Sequence, residues 1–143
     1  AGFKNVSWPG RFEIVCKKPL VVVDSAHNQD SALKLRLAMD DYLNGKPIIL
    51  LFGASEDKDV RGMFCHLLPR VRTVIATRSE HPRAMHPDML VELAQQYGKN
   101  AIKTLSVEQG LEEAMKQAGK DAVVVVAGSI FIAAAVREIL LNR

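Results

Sequence analysis

The sequence predicts an α/β fold in which a mostly parallel sheet of about six strands carries helices on both faces. Short runs such as residues 20–23 and 123–126 are apolar and β-branched throughout, which is typical of strands buried on both faces. A helical segment follows each of five such runs, and strands that alternate with helices form parallel sheets. The 143 residues, 48% of them hydrophobic, suffice for one domain with a substantial core.

The first half of the chain supplies the start of this alternation. Residues 12–16 alternate in polarity and precede a proline-containing turn, so they predict an edge strand that runs antiparallel to the strand at 20–23. A broad apolar stripe predicts a helix over 30–43, which an Asn-Gly pair ends. A buried strand at 48–52 and a short helix over 60–68, stopped by a proline, follow.

The second half continues the pattern to the end of the chain. A proline favours the first turn of a helix over 87–96, and a Ser-x-x-Gln capping-box spacing at 106–109 opens a helix that runs to residue 118. The remaining predicted elements are strands at 73–77, 101–105 and 123–126 and a last helix over 130–141.

Charge and composition exclude several classes of protein. The 19 Lys and Arg residues against 16 Asp and Glu residues give a net charge of +3, too little for nucleic-acid binding by charge alone. No apolar stretch approaches the roughly 20 residues of a membrane span, so no membrane partner is expected. Cys16 and Cys65 lie in apolar contexts and predict buried, reduced thiols of a cytoplasmic protein, expected to be a monomer. The chain begins at Ala1 without Met, which suggests a segment of a longer protein.

Polar loops follow four of the predicted strands, at 24–28, 53–59, 78–83 and 127–129. Because ligands bind at the carboxyl ends of parallel strands, these loops predict one binding edge. The chain contains no dinucleotide-binding glycine motif, no P-loop, no G-x-S-x-G and no metal-ligand spacing. We therefore assign no catalytic residue and no metal ligand to this chain.

Five short motifs near this edge carry a resemblance to a known family. They are Trp8-Pro9-Gly10-Arg11, Val23-Asp24-Ser25-Ala26-His27-Asn28, Gly53-Ala54-x-x-Asp57-Lys58-Asp59, Pro82-Arg83-Ala84 and Ala127-Gly128-Ser129-Ile130-Phe131. In this order they closely resemble the C-terminal domain of folylpolyglutamate synthase/dihydrofolate synthase, of the Mur ligase superfamily, over nearly the whole chain. Ser25 and Gln29 stand where that family usually has Gly and Pro, which leaves the subfamily open. The single Trp8 is expected in the core, with a hinge contact as the alternative.

The resemblance implies that residues 1–143 are one Rossmann-like C-terminal domain of an ATP-dependent amide ligase. The family joins L-glutamate to dihydropteroate or to a folate γ-glutamyl tail through an acyl phosphate. A preceding N-terminal ATPase domain, missing from this chain, carries the P-loop and the Mg²⁺ ligands in that family. The expected partners are therefore that domain, ATP, L-glutamate and a folate or dihydropteroate, and the chain alone is expected to be inactive.

The resemblance also implies roles for five residues. Arg11 would reach the ATP phosphates, since a guanidinium matches phosphate oxygens, and Asp24 would accept hydrogen bonds from the ribose hydroxyls. His27 would lie near the phosphates or the glutamate, and Ser129 and Arg83 would hold glutamate carboxylates. Ordinary structural roles stay open: an exposed charge for Arg11, a turn for Asp24, an exposed ring for His27 and a helix cap for Ser129.

Two other functions stay open at this point. One is the C-terminal domain of a peptidoglycan-precursor ligase of the same superfamily, although Ala26-His27-Asn28 favours the folate branch. The other is a non-catalytic α/β binding domain that shares only the architecture, because a fold alone does not settle function.

Overall fold

The α/β prediction is confirmed by a computed structural model that describes residues 10–142. Trp8 and Pro9 of the first motif, and with them the expected core position of Trp8, lie outside the described residues. The strands are β1 (Glu13–Lys17), β2 (Leu20–Val23), β3 (Ile48–Phe52), β4 (Thr73–Ala76), β5 (Asn100–Lys103) and β6 (Val123–Ala127). The α-helices are α1 (Gln29–Tyr42), α2 (Val60–Leu67), α3 (Pro87–Gln96), α4 (Val107–Ala118) and α5 (Ile130–Leu141), and a 3₁₀ turn at Leu68–Arg70 follows α2.

The strands form one sheet in the order β1-β2-β6-β3-β4-β5. As predicted, β1 pairs antiparallel with β2 at the edge, and every other neighbouring pair is parallel. A tight turn with a cis peptide bond between Lys18 and Pro19 joins β1 to β2. The five parallel strands therefore end at one edge of the sheet, where the polar loops follow them.

The helices divide between the two faces of the sheet. Helices α1, α2 and α3 pack on one face, and α4 and α5 pack on the other. The chain crosses the sheet from β3 to β5 and then returns to β6, between β2 and β3. Because the crossover hand is constant in such sheets, this reversal places α4 on the opposite face, where α5 also packs. The chain leaves β6 toward one face and leaves β2 and β3 toward the other, which opens a crevice at their carboxyl ends.

The central strands explain the apolar runs of the sequence. All five residues of β3 and all five of β6 are buried. Alternate side chains face opposite layers: Leu50 and Phe52 join the cluster under α1, α2 and α3, whereas Ile49 and Leu51 join the cluster under α4 and α5. A strand covered on both faces has no polar side, so its sequence does not alternate.

The expectation that both thiols are buried is wrong. Cys16 is half-buried because β1 is the edge strand. Cys65 is exposed on the outer side of α2, whereas Met63 and Phe64, which precede it in the same helix, are buried. An apolar sequence context therefore did not reveal which side of each element faces water.

None of the described helices combines the length and apolar character that a membrane span requires.

Candidate functional site

Three of the five predicted site residues meet in one cavity at the carboxyl edge of the sheet. His27 follows β2, Arg83 follows β4 and Ser129 follows β6, and all three line a cavity of about 370 Å³. Asp57 and Lys58, from the loop after β3, line it as well. The lining thus contains more basic than acidic side chains, which favours an anionic ligand.

Ser129 lies where the cavity meets the start of α5. It is buried, with 6% of its surface exposed, and its Oγ accepts a hydrogen bond of 3.0 Å from the Phe131 N–H as the helix N-cap. The preceding Gly128 has φ +109° and donates its N–H to the carbonyl oxygen of Ala26 at 2.8 Å. The loops after β2 and β6 are thereby joined, and the positive end of the α5 dipole opens toward the cavity.

His27 occupies the short loop before α1. Its ring Nδ1 lies 3.0 Å from the carbonyl oxygen of Ser25. Because a carbonyl only accepts, Nδ1 carries the proton in this contact, and Nε2 of the neutral ring is left as an acceptor. Asn28 caps α1, with its Oδ1 accepting from the Ser31 N–H in a capping box. The cap fixes the backbone that carries His27.

Arg83 belongs to a loop that is pinned to its neighbour. Its carbonyl oxygen accepts from the Glu56 N–H at 2.8 Å, and the Met85 N–H donates to the Ala54 oxygen at 2.8 Å. The guanidinium itself is exposed, and within residues 10–142 its one ion pair is a long contact of 3.8 Å with Asp57. Arg83 therefore has a fixed backbone and a side chain that an anion can recruit.

Arg11 and Asp24 are absent from the lining of this cavity. The Asp24 carboxylate accepts the Phe12 N–H at 3.0 Å and the Ala26 N–H at 2.8 Å, so it ties the start of β1 to the loop after β2. Phe12 has φ +46°, and this bond holds its unusual backbone. The turn role that the sequence left open for Asp24 is thus present, and Arg11 lies exposed near its carboxylate.

Burial raises the pKa of Asp24 above its ordinary 3.8, although its two backbone hydrogen bonds and Arg11 act in the opposite direction. A carboxyl whose pKa is higher in the folded state stabilises the fold below its unfolded-state pKa, and this contribution is lost as pH rises through the folded-state pKa. We therefore expect the free energy of unfolding of the wild type to increase relative to Asp24→Asn as pH falls toward 3.8. Urea unfolding of both proteins, measured at a series of pH values down to 3.8, gives the difference. A decrease in the stability of the wild type relative to Asp24→Asn on acidification would contradict the prediction.

Sequence reasoning gave no role to His81 and Phe131, which are among the residues that line the cavity. His81 and Phe131 form part of its wall, and their rings stack on each other. Both belong to loops or motifs that the sequence singled out, but no local pattern indicates that the two rings meet. In the part of the chain that the structure describes, no group of three or more His, Cys, Asp or Glu side chains is placed to hold a metal ion.

The family model of the Mur ligase glutamate ligase domain matches residues 10–130. The chain belongs to this family. The resemblance that the five motifs predicted is therefore confirmed, and the matched range contains all five candidate residues.

Individual relatives of this glutamate ligase domain agree with the family. The probable bifunctional folylpolyglutamate synthase/dihydropteroate synthase of Haloferax volcanii is 32% identical over 137 residues, which cover 95% of this chain and 16% of that protein. FolC of Escherichia coli, solved in complex with DHPP and ADP, is 31% identical with a TM-score of 0.86 over 95% of this chain and 32% of that one. A bifunctional folylpolyglutamate synthase/dihydrofolate synthase with Mn, AMPPNP and L-glutamate bound is 30% identical, with a TM-score of 0.85 over 96% of this chain and 33% of that one. The chain thus spans a third or less of the length of these relatives.

Proposed function

We propose that residues 1–143 are the C-terminal domain of an ATP-dependent ligase that joins L-glutamate to dihydropteroate or to the γ-glutamyl tail of a folate. The observation that carries this proposal is the basic cavity formed by His27, Arg83 and Ser129 at the carboxyl edge of the sheet. The relatives named above support it, because one of them was solved with L-glutamate and a nucleotide analogue bound. In the reaction, the glutamate nitrogen attacks an acyl phosphate, the C–N bond forms and phosphate leaves.

The cavity suits the two carboxylates of glutamate. Arg83 offers a guanidinium with one long ion pair, which a carboxylate can replace with a shorter, bidentate contact. Ser129 and the first N–H groups of α5 offer hydrogen-bond donors at a helix N-terminus. In this role the domain binds and orients the amine, and its own residues form no covalent bond.

The nucleotide would lie on the β1 and β2 side of the same edge. Each Asp24 oxygen accepts one backbone hydrogen bond, so each has capacity to accept another from a ribose hydroxyl. The exposed Arg11 beside it suits a phosphate. His27, in the loop between these residues and the cavity, would lie between nucleotide and amino acid. The P-loop and the Mg²⁺ ligands would come from a preceding ATPase domain, which we propose as the partner of this one.

The proposal is tested by joining this chain to the P-loop domain of a relative and measuring ADP formation. We expect ATP turnover that depends on L-glutamate and on a folate acceptor in the joined protein, and none in the 143-residue chain alone. Arg11→Ala should raise the KM for ATP about tenfold, since one charge-assisted contact with phosphate is lost. Because Arg11 is exposed, the free energy of unfolding should change little.

Arg72→Ala is the matched control. Arg72 is also exposed, but it precedes β4 at the opposite edge of the sheet, where it donates to the carbonyl oxygen of Gln117. Arg72→Ala should leave the KM for ATP of the joined protein unchanged. Turnover that does not depend on glutamate, or equal effects of the two substitutions, would contradict the proposal.

A further inference from the structure

A second cavity of about 1190 Å³ lies beside the first one. It is an open groove between the loops that follow β4 and β5 and one side of α5. His81 and Phe131 line both the groove and the smaller cavity. Their rings stack with centroids 4.6 Å apart and planes inclined by 26°. The stacked pair therefore forms a wall between the two spaces.

The two spaces differ in charge. The groove is lined by three carboxylates, from Glu80, Glu108 and Glu138, against one guanidinium, from Arg78. The small cavity, by contrast, has a basic lining, as described above. An amino acid with two carboxylates is therefore favoured on one side of the wall, and an anionic extension is repelled on the other.

Local hydrogen bonds hold the ring of His81 in this position. Its backbone N–H donates to Ser79 Oγ at 3.2 Å, and its Nδ1 accepts from the Arg83 N–H at 3.1 Å. Accepting at Nδ1 requires the tautomer with the proton on Nε2. The same imidazole thus stacks on Phe131 and fixes the backbone of Arg83, so the wall and the carboxylate-binding residue are one unit.

The geometry points to a specificity role for the His81–Phe131 wall: it limits the incoming amine to a single dicarboxylic amino acid and excludes γ-glutamyl peptides. This inference rests on the proposed function, because it assigns the small cavity to glutamate. Removing the imidazole joins the cavity to the acidic groove. The affinity for a longer amine with a cationic far end then rises most. The affinity for one with an anionic far end rises less, because the groove carboxylates repel it.

The test is a titration of the 143-residue chain, followed by amide NMR at Gly128 and Ser129, with L-glutamate, γ-glutamyl-lysine and γ-glutamyl-glutamate. In the wild type, both peptides should bind at least about tenfold more weakly than L-glutamate. In His81→Ala, the affinity for γ-glutamyl-lysine should rise about tenfold relative to L-glutamate, with a smaller rise for γ-glutamyl-glutamate. Phe131→Ala opens the wall from its other side and should shift the same ratio.

His81→Phe separates the wall from the hydrogen bond. This variant keeps a ring that stacks on Phe131 but lacks the Nδ1 acceptor for Arg83, so it should keep the wild-type preference for L-glutamate. Leu105→Ala, which enlarges the groove without touching the wall, should also keep it.

The possible outcomes distinguish the specificity role of the His81–Phe131 wall from the proposed binding of glutamate in the small cavity. A wild type that fails to bind L-glutamate overturns the proposed use of the cavity, and the specificity role with it. A wild type that binds L-glutamate, with peptide-to-glutamate ratios unchanged in both His81→Ala and Phe131→Ala, overturns the wall alone. Equal loss of preference in His81→Phe and His81→Ala also overturns it, because the hydrogen bond to Arg83 would then account for the effect.

Discussion

Gly128→Ala is expected to remove most of the stability of this domain. A methyl group at this position would collide with the carbonyl oxygen of Gly53 and would lie 2.8 Å from Cε2 of Phe52. The backbone also has φ +109°, a conformation that residues with a Cβ rarely adopt. Overpacking and backbone strain together cost at least about 4 kcal/mol, which approaches the whole stability of many domains. Urea unfolding followed by circular dichroism measures this loss.

Gly45→Ala is the control that separates strain from collision. Gly45 also has a positive φ, +79°, but a Cβ there would have no neighbour within 4 Å. Its substitution should therefore cost only about 1–2 kcal/mol, from the backbone alone. If the two variants lose equal stability, the close approach of β3 and β6 is not what requires glycine at position 128.

Local signals explain why most element bounds could be predicted. The strand at Ile48–Phe52 and the helices Pro87–Gln96 and Ile130–Leu141 begin and end at the predicted residues, since apolar runs and helix caps mark them. The first strand begins one residue later than predicted, at Glu13, because Phe12 takes a positive φ that its side chain does not suggest. Asp24, 12 residues away, holds that conformation, and no local pattern reveals such a bond.

One predicted cap differs in detail from the structure. Ser106 accepts a hydrogen bond from the Gln109 N–H, as a capping box requires. The Gln109 side chain, however, accepts from the Leu105 N–H and not from the Ser106 N–H that would close the box.

The order of the strands in the sheet also could not be predicted from local sequence patterns. The position of β6 between β2 and β3 depends on tertiary packing of chain segments far apart in sequence.

The site was predictable where family motifs coincide with strand ends. His27, Arg83 and Ser129 each follow a strand of the parallel sheet, so their convergence follows from the topology. The stack of His81 on Phe131 was not predictable, because it joins the loop after β4 to the first turn of α5, and their distance in space depends on where β4 and β6 lie. Motifs therefore indicated which loops meet at the small cavity, and the structure was needed to find what separates it from the groove.

Ser129→Ala should raise the KM for L-glutamate by about 10- to 100-fold in the protein that joins this chain to the P-loop domain of a relative. Ser129 is a helix cap in the structure and a proposed glutamate ligand, and the two roles predict different results. A lost cap alone costs about 1 kcal/mol of stability and leaves substrate binding intact. A lost hydrogen bond to a carboxylate costs about 1.5–3 kcal/mol of binding free energy. This loss corresponds to the rise in KM expected for Ser129→Ala.

Ser106→Ala separates the two roles because Ser106 caps α4 with the same chemistry, through its Oγ and the Gln109 N–H at 3.1 Å, and does not line the small cavity. Both variants should lose similar stability in urea unfolding, but only Ser129→Ala should change the KM for L-glutamate. An unchanged KM in Ser129→Ala would limit this serine to capping, and the carboxylates would then depend on Arg83 and the first backbone N–H groups of α5. The comparison thus decides whether the hydroxyl that begins α5 serves the fold, the substrate or both.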